Sequence, residues 1–171
     1  MSRRLECLAL FLAAVLMAPA CMAAQYTFTN GNFVINVPDS WSRIVYAPGD
    51  PESMVFQVPD PSPTQTDTLA RVTITSEKVR DLISFRQFVG ENSRHAQALP
   101  GFHATGSDST PTVLHYTAQE GTAMQTYNEH YYFRDGYAVM VRCVRPAHSQ
   151  AGAAWTAAFD KDCAGVSTHL N

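Results

Sequence analysis

The chain has 171 residues, 46% of them hydrophobic, and its 12 Lys and Arg against 15 Asp and Glu leave a formal net charge of −3. The charges are scattered, so no basic run offers itself to nucleic acid and no polybasic helix to anionic lipid. Without repeats or long low-complexity tracts, what remains is one mildly acidic domain large enough for a single core.

Arg3 and Arg4 open the chain, an apolar run follows from Leu8 to Met17, and small residues occupy Ala18 to Ala24. Charge, apolar core and small-residue site in that order read as a secretory signal peptide over residues 1–24, since a spanning helix needs about 20 apolar residues. Residues 25–171 are then a single periplasmic α+β domain. Glu6 and Cys7 stand where a twin-arginine signal prefers apolar residues, which counts against that signal. Ala18-Pro19-Ala20-Cys21 leaves an alternative open: cleavage before Cys21 would make it the lipidated first residue, whereas cleavage after Ala23 or Ala24 would discard it. Membrane attachment is expected only in the lipidated case. The soluble form is preferred, because Ala18 and Pro19 depart from the usual lipoprotein pattern.

Gln25 to Thr29 and Phe33 to Val37 are β-rich runs around Asn30-Gly31, a two-residue hairpin signal. Ile44 to Tyr46 and Met54 to Val58 suggest a further short pair. Pro59 to Asp67, with three prolines, reads as an exposed loop. Arg71 to Thr75 alternates as a half-buried strand with Val72 and Ile74 on one face. A helix is expected from Ser84, where Ser84 and Gln87 have capping-box spacing. Phe85, Phe88, Val89, Ala96 and Leu99 lie on one of its faces, and Pro100-Gly101 ends it. Phe102 to Asp108 and Thr112 to Gln119 read as strands.

Met124 to Arg134 and Tyr137 to Arg145 flank Asp135-Gly136, the clearest hairpin of the chain. A two-residue turn pairs Arg134 with Tyr137, Tyr132 with Val139 and Glu129 with Arg142, and the meeting of opposite charges supports that register. Val139, Val141 and Cys143 then share a face. A last helix over about Gln150 to Lys161 places Ala151, Trp155, Phe159 and Cys163 at four-residue steps. Cys143 and Cys163, the pair left after leader removal in an oxidising compartment, are expected to form a structural disulfide worth about 3 kcal/mol in the chain-entropy model.

Signatures of catalysis are missing: there is no Gly-x-Ser-x-Gly elbow, phosphate-cradling glycine loop or dinucleotide fingerprint, so neither enzymatic activity nor a cofactor is expected. The six histidines show no His-x-His or His-x-x-x-His spacing, so no metal site is expected. His115 and His130 fall on predicted strands and read as side chains satisfied by neighbours. Glu120 and Glu129 form a carboxylate pair only if Glu129 is not already held by Arg142. Tyr127, Tyr131 and Phe133 alternate onto one strand face, with Met140 across from Tyr131. They are either core under the first helix or an aromatic recognition surface for a partner. The turn around Ser107, Asp108 and Ser109 offers a second contact surface or an ordinary solvated loop.

Phe33-Val34-Ile35-Asn36-Val37-Pro38-x-x-Trp41 resembles the opening motif of PsbP-like and DcrB-like domains. Ser84-x-Arg86-x-Phe88 at a mid-chain helix, strands around Gly121-Thr122-Ala123, and a hairpin tipped by Asp135-Gly136-Tyr137 before a terminal helix extend the likeness over most of residues 25–160. The resemblance implies an antiparallel sheet flanked by the two helices, in a class of mostly non-enzymatic envelope or accessory proteins. The Cys143–Cys163 pair and the Pro59 to Asp67 loop depart from it, and no family binding residues transfer. The expected function is protein binding in an envelope accessory or stress-associated role, with an envelope component as partner. The alternatives are an immunity protein that plugs a secreted toxin, and a small-molecule or metal-binding module.

Overall fold

Strands such as Arg71–Lys78, whose side chains alternate between buried and half-buried, turn one face to the core, whereas the unbroken burial of Ala138 to Val141 marks a strand covered on both faces. The computed structural model describes residues 23–61, 69–106 and 110–168. Most of the expected leader, with Cys21, part of the Pro59 to Asp67 loop, and Ser107, Asp108 and Ser109 lie outside the described residues.

Strands β1 (Ala23–Phe28) and β2 (Phe33–Pro38) form an antiparallel hairpin separate from the main sheet. Its turn is longer than the Asn30-Gly31 dipeptide predicts. Phe28 pairs with Phe33, and both Gly31 (φ 79°) and Asn32 (φ 46°) take the left-handed bend, so the dipeptide supplies only part of the reversal.

The main sheet contains β3 (Ser42–Ala47), β4 (Glu52–Gln57), β5 (Arg71–Lys78), β6 (His103–Ala104), β7 (Val113–Glu120), β8 (Ala123–Arg134) and β9 (Tyr137–Pro146). Their order is β3-β4-β5-β9-β8-β7-β6, and every neighbouring pair is antiparallel. The strand expected from Phe102 shrinks to His103 and Ala104 at the sheet edge. The β8–β9 hairpin has the expected register, with Arg134 opposite Tyr137, Tyr132 opposite Val139 and Glu129 opposite Arg142. Asp135 (φ 48°) and Gly136 (φ 82°) supply the two positive-φ residues that such a turn requires.

Helices α1 (Leu82–Gln97) and α2 (Gly152–Thr168) take opposite faces of the sheet. The cap of α1 is Asp81, not Ser84. The Asp81 backbone is extended and its carboxylate accepts the Ser84 N–H at 2.8 Å, which places Ser84 inside the first turn. Phe85, Phe88 and Val89 then pack on Tyr131, Ala138 and Met140, while Ala96 meets Tyr116, Ala118, Tyr127 and Val144. On the other face the β1–β2 hairpin and α2 share the covering. Phe28, Ile35 and Val37 join Val72, Ile74, Val139 and Val141 with Phe159 and Val166 in one cluster. Burying each such side chain contributes about 2 kcal/mol.

Helix α2 starts and ends later than expected, which leaves Ala151 ahead of it, but the Trp155-Phe159-Cys163 stripe stands. Cys143 and Cys163 are bonded across a Cα separation of 6.3 Å, so α2 is stapled to the strand that precedes it.

Candidate functional site

Residues Gln125, Tyr127, Glu129 and Tyr131 of β8 all turn toward α1, and the strand register decides what they meet. Glu129 is fully buried. One of its oxygens accepts from Arg142 Nε at 2.6 Å and from the Tyr116 hydroxyl at 2.7 Å, and the other accepts from the Tyr131 hydroxyl. A buried carboxylate is tolerable only with such compensation, and here one guanidinium and two phenols from three strands supply it. Burial and the adjacent Glu129 charge together push Tyr116 and Tyr131 far above the ordinary phenol range, so both remain donors. Burial opposes the charge on Arg142, but Glu129, Tyr116 and Tyr131 together more than offset it and its pKa rises.

A second pair closes the site on the side of β5. Arg71 reaches over β9 and β8, and its Nη2 donates to both oxygens of Glu120 on β7, at 3.0 and 2.9 Å. Tyr127, its pKa raised by burial and by Glu120, stacks on Tyr116 with ring centroids 4.7 Å apart. Between these groups and the end of α1 lies a recess of about 260 Å³. Ala96 and Leu99 form its apolar wall, Arg142, Tyr116 and Tyr127 its floor, and Arg71, Glu120 and His95 its remaining lining. It falls just below the usual range for small-ligand pockets, about 300–1,000 Å³.

The aromatic alternation left open above resolves mainly as core. Tyr127 and Tyr131 are 5% and 3% exposed because α1 lies across them, and a recognition surface needs accessible rings. Phe133 differs: it is 36% exposed near the hairpin tip, where with Phe85, Thr112 and Asp135 it borders a shallow surface hollow of about 500 Å³. Met140 pairs with Tyr131 as expected. Glu129 and Arg142 are legible in the sequence as a pair, whereas the parts played by Arg71 and Tyr116 are not. Tyr116 shares a stripe with Ala118 that period-two alternation exposes, whereas Arg71 requires knowing that β5 lies beside β9.

The opposite face carries a separate polar strip. Arg145 and Asp160 pair at 2.9 Å, Asn128 Nδ2 donates to Asp160 at 3.4 Å, and Asn128 shares a 2.8 Å hydrogen bond with His115. The rings of His115 and His130 lie near one another on this face, with centroids 6.0 Å apart. Among the described residues no group of three or more His, Cys, Asp or Glu is placed to hold a metal ion.

No protein-family model and no curated protein matches the chain. Solved structures are similar to it. LpqN of Mycobacterium tuberculosis, involved in cell envelope biogenesis, matches 77% of this chain and 77% of its own, at TM-score 0.51 and 16% identity. Cyanobacterial PsbP (CyanoP) of Synechocystis sp. PCC 6803 matches 92% of this chain and 96% of its own, at TM-score 0.51 and 11% identity. The fold is PsbP-like. At such identities the likeness concerns the backbone and transfers no site residue. The PsbP-like fold here has an α+β architecture with both helices packed on an antiparallel sheet, and no helix among its described residues is long and apolar enough to cross a membrane.

Proposed function

We propose that this chain is an exported accessory protein of the cell envelope that acts by binding rather than by catalysis, with another protein as its partner. The recess under α1 carries the reading. Arg71, Glu120 and Arg142 are partly exposed along it and are held in place by the Arg71–Glu120 and Arg142–Glu129 pairs, which makes it a pre-organised surface for recognition. Export is supported by the order of charge, apolar run and small residues over residues 1–24 and by a disulfide that suits an oxidising compartment. The envelope setting is supported by fold likeness to LpqN.

The test is a pull-down with the oxidised protein from extracts of the source organism and its competitors, with bound proteins identified by mass spectrometry. A resident envelope component at fixed stoichiometry is the expected result. A single secreted hydrolase would replace the accessory role with immunity, and the absence of any captured protein would overturn the protein-binding reading.

A further inference from the structure

We propose that the recess under α1 takes a carboxylate, anchored by the terminal nitrogens of Arg142. The inference deepens the reading of that recess as a binding site and rests on it. Glu129 takes only the Nε–H of Arg142, at 2.6 Å, and its other hydrogen bonds come from Tyr116 and Tyr131. The stem and inner edge of the guanidinium are thereby fixed. Among the described residues neither terminal nitrogen hydrogen-bonds to a carboxylate, although Arg142 lines the recess. A planar guanidinium held by its inner edge presents its outer edge as a fork, which matches the two oxygens of a carboxylate.

The surroundings narrow the class further. Arg71 and Arg142 are matched by Glu120 and Glu129, so the recess has no surplus of positive charge. A planar monoanion adds the least uncompensated charge there, whereas a phosphate dianion would need more cationic groups than are present. Arg71 bonds both oxygens of Glu120 and so blunts its repulsion of an incoming anion. Ala96 and Leu99 give the stem of the ligand an apolar wall, and the volume of about 260 Å³ limits that stem to a short chain. The same chemistry is offered by a free short-chain acid and by the C-terminal carboxylate of a peptide.

The experiment uses the full chain expressed with its own leader and purified oxidised from the envelope fraction. Hexanoate is titrated against hexanol, and the tripeptide Ala-Ala-Leu with a free C-terminus against its amide, by calorimetry and by the NMR signal of the arginine Nε–H. Each anion is expected to bind at least about tenfold more tightly than its neutral counterpart, and the tighter of the two anions identifies the source. Because Arg142 supports the fold, it is changed together with its partner: Glu129→Gln with Arg142→Gln replaces a buried ion pair by a neutral one. Leu99→Trp, which fills the recess and leaves the Glu129 contacts in place, is the second variant. Both variants are expected to lose binding of the anions. Equal binding of acid and alcohol, undiminished binding by both variants, or no binding of either anion would overturn the inference. A pull-down partner still retained in any of those cases would leave the accessory reading standing.

Discussion

Glu129 has three donors on three adjacent strands, so neutralising it disturbs more than one contact. Glu129→Gln leaves the Arg142 charge uncompensated and is expected to cost about 3 kcal/mol. Tyr131→Phe removes a single donor and keeps the ring under α1, so its expected cost is about 1 to 2 kcal/mol. Urea denaturation distinguishes the two as shifts of midpoint at unchanged slope. Gln125, two residues from Tyr127 on the same face, presents the reverse case. It is fully buried, and neither side-chain polar atom has a hydrogen-bond partner among the described residues. Gln125→Met keeps its length and removes both unpaired atoms, and is expected to raise stability by about 1 kcal/mol in the same assay.

Strand β8 carries a titratable group on its other face. Burial, and then the neighbouring His115, hold His130 below the ordinary histidine value of 6.5. The unfolded chain therefore binds that proton more readily than the folded one, so this contribution to stability is complete above pH 6.5 and declines as the pH falls below it. Replacing it, as in His130→Gln, is expected to flatten the fall of the melting temperature between about pH 7 and pH 5 relative to the parent protein.

At this same scale the sequence was most informative where a local rule applied. A positive-φ dipeptide sets the register of β8 and β9, and from that register come the Glu129–Arg142 pair and the side of the sheet on which Cys143 lies. Capping-box spacing points to Ser84 as the start of α1, three positions late, because Asp81 and Ser84 are both good capping residues and only backbone geometry chooses between them. The recess itself was illegible. Arg71 meets Glu120 only because β5 inserts beside β9, a pairing between distant segments that no local pattern encodes. For the same reason the alternation of Tyr127 and Tyr131 gave their common face but not the helix that covers it.

For the molecule as a whole, the sheet divides two coverings of different kinds. One face is closed by α1 with the charged recess at its end, and the other by the β1–β2 hairpin and α2 over the largest apolar cluster. The disulfide belongs to the second. Replacing both Cys143 and Cys163 by Ser is expected to cost about 3 kcal/mol for a loop of sequence separation 20, read as a lower melting temperature of the oxidised protein. That variant is expected to retain its protein partner in the pull-down below its own melting temperature, since the bond lies on the face away from the recess.

Arg142 and Cys143 are consecutive in β9 and project to opposite faces. A shift of this central strand by one position would send the guanidinium into the apolar layer and the sulfur toward α1. The covalent link to α2 forbids that shift, so it serves as a registration pin: by tying the sulfur to one side, it fixes where the charge emerges on the other.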